Sequence, residues 1–175
     1  MARPHEVAHT GDHMSPRDLV SQAELRLGSL VTAVGVLHCQ PGGRCFIARD
    51  RIDILQPDPE ASLLLVAPGL HFLAQGGKTR GGIGYYNDGV TITGHLQRSP
   101  FAPWKFAMTG LTSVHVERGD PAGTNHFAYD VDLTRLGRVN DEERAEWYRT
   151  FEEDRLPREL ADKFIAQLDA DRRLW

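Results

Sequence analysis

The letters of this chain come closest to a catalytic motif at His5-Glu6-Val7-Ala8-His9. On a helix, this spacing sets two imidazoles on one turn around a zinc ion, with the carboxylate beside a metal-bound water. The setting does not support that chemistry. No upstream scaffold is expected to fix a helix there, and Gly11 would disrupt one. The expectation is a histidine-rich tail in which His5, His9 and His13 are weak, adventitious ligands rather than a metal centre. Gly76-Gly77-Lys78-Thr79 has the letters that end a phosphate loop, but the required first glycine falls on Phe72. The residues that follow, Arg80-Gly81-Gly82-Ile83-Gly84, do not open the helix whose N-terminus would face the anion.

Acid–base chemistry has one further candidate. His115 and Glu117 share a strand face, and Asp130 and Asp132 share one on what should be the neighbouring strand. Solvated cross-strand pairs are the plainer expectation. The chain has no Gly-x-Ser-x-Gly elbow, and neither cysteine has a base partner in sequence. No catalytic residue and no cofactor are therefore expected.

Binding is the better prospect. His95 and Gln97 lie on the outward face of a strand, and Arg98, Trp104, Lys105 and Phe106 follow at the next turn. Aromatic side chains beside cations suit base stacking with phosphate contact, and the same types dominate protein interfaces. Trp104 and Phe106 are read as pointing the same way, so a shared core role is the alternative. Tyr85 and Tyr86 fall in a glycine-rich stretch read as a flexible loop that contacts a partner or merely connects strands. Cys39 and Cys45 flank Gln40-Pro41-Gly42-Gly43-Arg44 and face each other if that segment is a hairpin loop. Two reduced, partly buried thiols are the expectation for a cytosolic chain. A cross-strand disulfide is the alternative.

These residues need a scaffold. Val90 to Glu117 reads as strand, loop, strand, kink, strand, and Val31 to Leu55 is a degenerate earlier copy. Val31-Thr32-Ala33-Val34-Gly35-Val36-Leu37 lines up with Val90-Thr91-Ile92-Thr93-Gly94-His95-Leu96. Val90, Ile92 and Leu96 face one side of the strand, and Thr91, Thr93, His95 and Gln97 the other, the alternation of a half-buried strand. Gly35 and Gly94 sit on the apolar faces. A strand glycine costs stability unless the backbone must bend or a neighbour must come close. Two in matching places predict two strongly coiled strands curling around one interior.

Around this centre, residues 1–14 read as a flexible tail, 15–139 as a helix plus barrel, and 140–175 as a helical extension. Ser15-Pro16-Arg17-Asp18 opens a helix, with Leu19, Ala23 and Leu27 as its apolar stripe and Gly28 as its stop. Strands are expected at about 30–39 and 45–55, at Leu63–Val66, and from His126 to Leu133. Asn140 with Glu143 starts the first of two C-terminal helices, and Leu160, Phe164 and Leu168 mark the second.

At 175 residues the chain fits one domain, and 41% hydrophobic with 25% charged content is ordinary for a soluble protein. No apolar run approaches a membrane span, and no signal-like stretch opens the chain, so the expected compartment is cytoplasmic. Residues 28–118 carry about eight Lys/Arg against six Asp/Glu, and residues 119–175 about nine against fourteen. Such a mild basic footprint lowers a nucleic-acid reading without removing it.

The strand order and the glycine in each leading strand resemble the OB-type small barrel, which implies a mainly β, β-rich α+β fold: a small antiparallel barrel with an N-terminal helix and two C-terminal helices. The segment Ile83 to Val116 also resembles uncharacterised small bacterial β-rich proteins of the immunity type. That resemblance implies a non-catalytic module that binds a protein partner, a secreted toxin among the options. Single-stranded nucleic-acid binding is the alternative expectation, and a small-ligand carrier or enzyme using the barrel interior the next.

Overall fold

The computed structural model describes residues 12–40, 43–74, 77–78, 84–119, 126–136, 149 and 157–174. Its first elements are β1 (His13–Met14), α1 (Pro16–Ser21), α2 (Ala23–Arg26), β2 (Leu30–Cys39), β3 (Cys45–Ala48) and β4 (Ser62–Leu65). Then come α3 (Leu70–Leu73), β5 (Gly77–Lys78), β6 (Tyr85–Arg98), β7 (Phe106–Gly119) and β8 (His126–Asp130). A short 3-10 turn at Leu133–Arg135 and α4 (Arg158–Leu174) follow. The fold is mainly β, as expected.

All eight strands join one mixed sheet. β2 pairs with β3, β3 with β4, β7 with β6 and β6 with β2, all antiparallel, while β4 and β7 run parallel. The pairings thus form a ring of five strands. β1 adds to β2 in parallel and β8 adds to β7 antiparallel. The wholly antiparallel sheet expected from sequence is corrected here. The long connection from β4 to β6 carries the chain past the β7 position, and β7 then returns alongside β4 in the same direction.

The two sequence copies are neighbours. Val31 faces Gly94, Ala33 faces Ile92 and Gly35 faces Val90, so each string meets the other inverted, about a local two-fold. The bends also fall where the glycines stand. Register shifts lie between Gly35 and Leu37 on β2, and between Thr93 and His95 on β6. A Cβ on Gly35 would lie 2.2 Å from the Ala48 carbonyl oxygen, so β3 passes too close for any side chain there.

The inward residues form the main core. Leu37, Ile47, Leu63, Ile92, Leu96, Met108 and Val116 are buried together, and Leu19 and Ala23 pack in from the helices. Ser15 caps α1 by accepting the Asp18 backbone N–H at 3.2 Å, and Pro16 opens the helix. The helix is broken at Gln22, which leaves the helical region before α2 resumes; Gly28, at φ 79°, ends it. A second cluster lies on the outer side of β3 and β4, where Phe46, Leu64, Trp104 and Ala107 are buried with Phe101 against them. Strands covered on both faces read as unbroken apolar runs. This explains Leu63-Leu64-Leu65.

Three sequence expectations are corrected. The strand expected over 45–55 stops at Ala48, because Arg49-Asp50-Arg51 has no apolar face to offer a sheet. Ile52 instead gives its backbone N–H to His38, and Asp53 and Asp58 cap local turns. Residues 13 and 14 leave the expected tail to pair with Thr32 and Ala33. Cys39 and Cys45 form a disulfide, with Cα atoms 4.3 Å apart. Directly opposed residues on β2 and β3 bring the two thiols within bonding reach. Residues 5 and 9, the glycine stretch 79–83 and the first C-terminal helix, apart from Arg149, lie outside the described residues.

His38 shows how the second cluster is fastened. Its Nε2 accepts the Ile52 N–H at 3.0 Å, which leaves Nδ1 to donate to the Val36 carbonyl at 2.9 Å. The ring stacks on Phe46. Burial pushes its pKa down to about 4, against a pull upward from the Val36 carbonyl. His71, half-buried with its Nδ1 shut off from solvent, is pushed down to about 3 by desolvation. An unfolded imidazole titrates near 6.5. The unfolded chain therefore binds more protons below that pH, and stability falls as pH drops from 6.5 toward 4. The melting temperature, followed by circular dichroism, should decline through this window. A flat profile there would mean that neither ring is held neutral.

Candidate binding face

The outward side chains of β2, β6, β7 and β8 line up in rows. One row runs His13, Thr32, Thr93 and Ser113 across β1, β2, β6 and β7. The next runs Val34, Thr91, His115 and Asp130. A third places Leu30, His95 and Thr109 side by side. The alternation that buries Ile92, Gly94 and Leu96 turns Thr91, Thr93 and His95 outward.

This face carries an open groove of about 580 Å³, lined by Thr32, Thr91, Thr93, Thr112 and Ser113 together with the apolar Met14, Leu30 and Val31. Asp12, His13 and Arg26 stand at its rim. The Thr32 and Thr93 hydroxyl oxygens are 2.9 Å apart and share a hydrogen bond. Hydroxyls both donate and accept, so these residues can match a polar partner of either sense.

The acid–base candidates resolve into two exposed cross-strand pairs. His115 Nδ1 is 2.9 Å from Asp130, and His126 Nε2 is 3.0 Å from Glu117. Asp132 is elsewhere, capping the 3-10 turn through the Thr134 N–H. Among the described residues no hydroxyl hydrogen-bonds His115, so no nucleophile is paired with this dyad. Among the same residues, no group of three or more His, Cys, Asp or Glu is placed to hold a metal ion.

The sequence-derived binding residues scatter. His95 is exposed on the face, its Nδ1 3.4 Å from the Gly28 carbonyl oxygen. Arg98, at the end of the same strand, grips Glu24 through two contacts of 3.0 and 2.8 Å. Lys105 pairs with Glu60. Trp104 and Phe106 are both buried but point into different clusters, which corrects the shared direction expected for them. Trp104 packs against Phe46, and Arg44 lies over Phe101 at 3.9 Å. Tyr85 and Tyr86 begin β6 rather than lying in a loop. Their hydroxyls donate to the His71 and Ile52 carbonyls, and β5 pairs with both residues. Sequence reasoning missed the threonine-lined groove. The outward Thr91 and Thr93 were visible in the alternation, but Thr32 and Ser113 join them only through strand register.

Comparison with protein families, with curated proteins and with solved structures finds no match. No helix among the described residues is long and apolar enough to cross a membrane.

Proposed function

We propose that this chain is a non-catalytic binding module on an OB-like barrel, and that it recognises a protein partner through the threonine-rich face of β2, β6, β7 and β8. The five-strand ring, with β4 parallel to β7, supports the barrel reading. OB barrels bind their ligands over strands 2 and 3 and the flanking loops. The equivalent surface here, over β3 and β4, is covered by the chain's own Phe101 and Trp104. The groove over Thr32, Thr93 and Ser113 is the open alternative, and this observation carries the reading.

Protein is favoured over nucleic acid for a physical reason. A single-strand binder needs exposed aromatic platforms beside free cations. Trp104 and Phe106 are buried, and Arg98 and Lys105 are engaged by Glu24 and Glu60. An immunity-type role, with a toxin as partner, is the instance of this reading that the sequence resemblance implies.

The test is a Thr93→Arg/Ser113→Arg variant, which fills the groove with two long cations while leaving the core untouched. Capture of the partner from extract should fall at least tenfold, with an unchanged circular dichroism spectrum. Tight, salt-sensitive binding to single-stranded DNA, with no protein lost from the variant's capture, would overturn the proposal.

A further inference from the structure

β8 lies beside β7, and among the described residues no strand pairs with its other edge. β1 and β5, also at the margin of the sheet, have two residues each, too few to template a neighbour, whereas β8 has five. Edge strands usually guard themselves with lysine, proline or a bulge. His126-Phe127-Ala128-Tyr129-Asp130 holds no lysine or proline, its register with β7 runs without a shift, and Phe127 is 62% exposed. We propose that β8 pairs antiparallel with β8 of a second copy of this chain, about a two-fold axis at Ala128.

The backbone selects that register. Val131 donates its N–H to the Val114 carbonyl at 2.9 Å. Antiparallel pairing alternates, so Tyr129 and Phe127 also turn their N–H and C=O groups toward β7, while His126, Ala128 and Asp130 turn theirs toward the open edge. A two-fold at Ala128 sets Ala128 opposite its own copy and His126 opposite the second copy's Asp130. All of these have backbone groups at the open edge, so each pair exchanges both bonds. A two-fold at Phe127 or Tyr129 would instead oppose groups already used by β7. The side chains match as well. At each end of the paired strands an exposed imidazole meets an exposed carboxylate. Those two groups already hold Glu117 and His115 on β7, so imidazole and carboxylate alternate across the joined strands. On the other sheet face Phe127 meets Tyr129, an aromatic pair in the closer-spaced position between hydrogen-bonded pairs. Five residues a side bury little area, so the dimer is of the weak, transient class and forms only at high concentration. The axis stands perpendicular to the sheet, so the threonine rows of both copies face the same way.

Self-pairing goes beyond partner recognition at the threonine rows and is tested without a partner. Sedimentation equilibrium of the full chain, loaded from micromolar to millimolar concentration, should show the mean mass rising from one chain toward two. In ¹⁵N-labelled protein the amides of His126, Ala128 and Asp130 should shift with concentration. Ala128→Pro removes the N–H aimed at the second copy and none that β7 uses, a position at which an edge strand tolerates proline. Association should weaken roughly tenfold or more, since both donors of the central pair are lost. Ala128→Lys keeps the backbone donor but sets two like charges opposite one another, and should also weaken association. A mass of one chain throughout, concentration-dependent shifts confined to other residues, or association unchanged in either variant with a native circular dichroism spectrum each overturns the inference. The Thr93→Arg/Ser113→Arg variant should still self-associate, because neither residue lies on β8. Failure to self-associate leaves the capture test standing, and loss of capture by that variant leaves the dimer standing.

Discussion

Trp104→Ala should lower the free energy of unfolding by about 3–5 kcal/mol while leaving recognition at the threonine rows unchanged. Trp104 is only 4% exposed, and its ring centroid lies 5.5 Å from that of Phe46. Truncation opens a cavity between the β6–β7 loop and the outer side of β3 and β4, and the loss includes both transfer and cavity terms. The lower end of the range is expected. The Trp104 Nε1 has no hydrogen-bond partner among the described residues, so removing it relieves part of a desolvation cost. Urea unfolding followed by fluorescence and circular dichroism measures the change. An unchanged midpoint, together with a lost affinity for oligonucleotide, would move Trp104 from the packing to the binding surface and revive the nucleic-acid reading.

The second large effect belongs to Gly35. Gly35→Ala should cost about 3 kcal/mol, the upper end for forced overpacking. The added methyl would meet the Ala48 carbonyl oxygen at 2.2 Å, and backbone held in the β2–β3 ladder cannot turn aside. Gly94→Ala should cost less, about 1–2 kcal/mol. Its tightest neighbour, at 2.8 Å, is the end of the flexible Leu111 side chain. Gly28→Ala should cost about 1 kcal/mol, since its φ of 79° disfavours a side chain although nothing lies within 4 Å. The order of the three unfolding midpoints is the check. Equal losses at Gly35 and Gly28 would mean that β3 does not crowd β2.

Much of this was legible from residue pattern alone. The capped first helix, the alternating Val90–Leu96 strand, the apolar β4 and the amphipathic strand at β8 all follow from local rules, because each signal lies within one element. The two glycines were legible for the same reason, since a bend in a strand needs a residue without a side chain wherever it occurs. What escaped was information held between elements. Tyr85 and Tyr86 sit among glycines, and only their backbone pairing with His38 and Cys39 on β2 and with β5 makes them the start of a strand. Trp104 and Phe106, two residues apart, ought to share a face by strand alternation. However, Trp104 precedes the strand and belongs to the loop, so it packs outside while Phe106 packs inside. The outward rows of the candidate face needed the register of four strands at once, which no single stretch of sequence encodes.

The inverted match between the Val31 and Val90 strings bears on assembly. A segment that complements a near-copy of itself also complements the same segment on another molecule, so two chains that meet while unfolded have a ready means of exchanging a strand. Within one chain the intervening residues tether the copies and hold each at a high effective concentration near the other. That tether favours the single-chain product in dilute solution, and the advantage shrinks as the protein is concentrated.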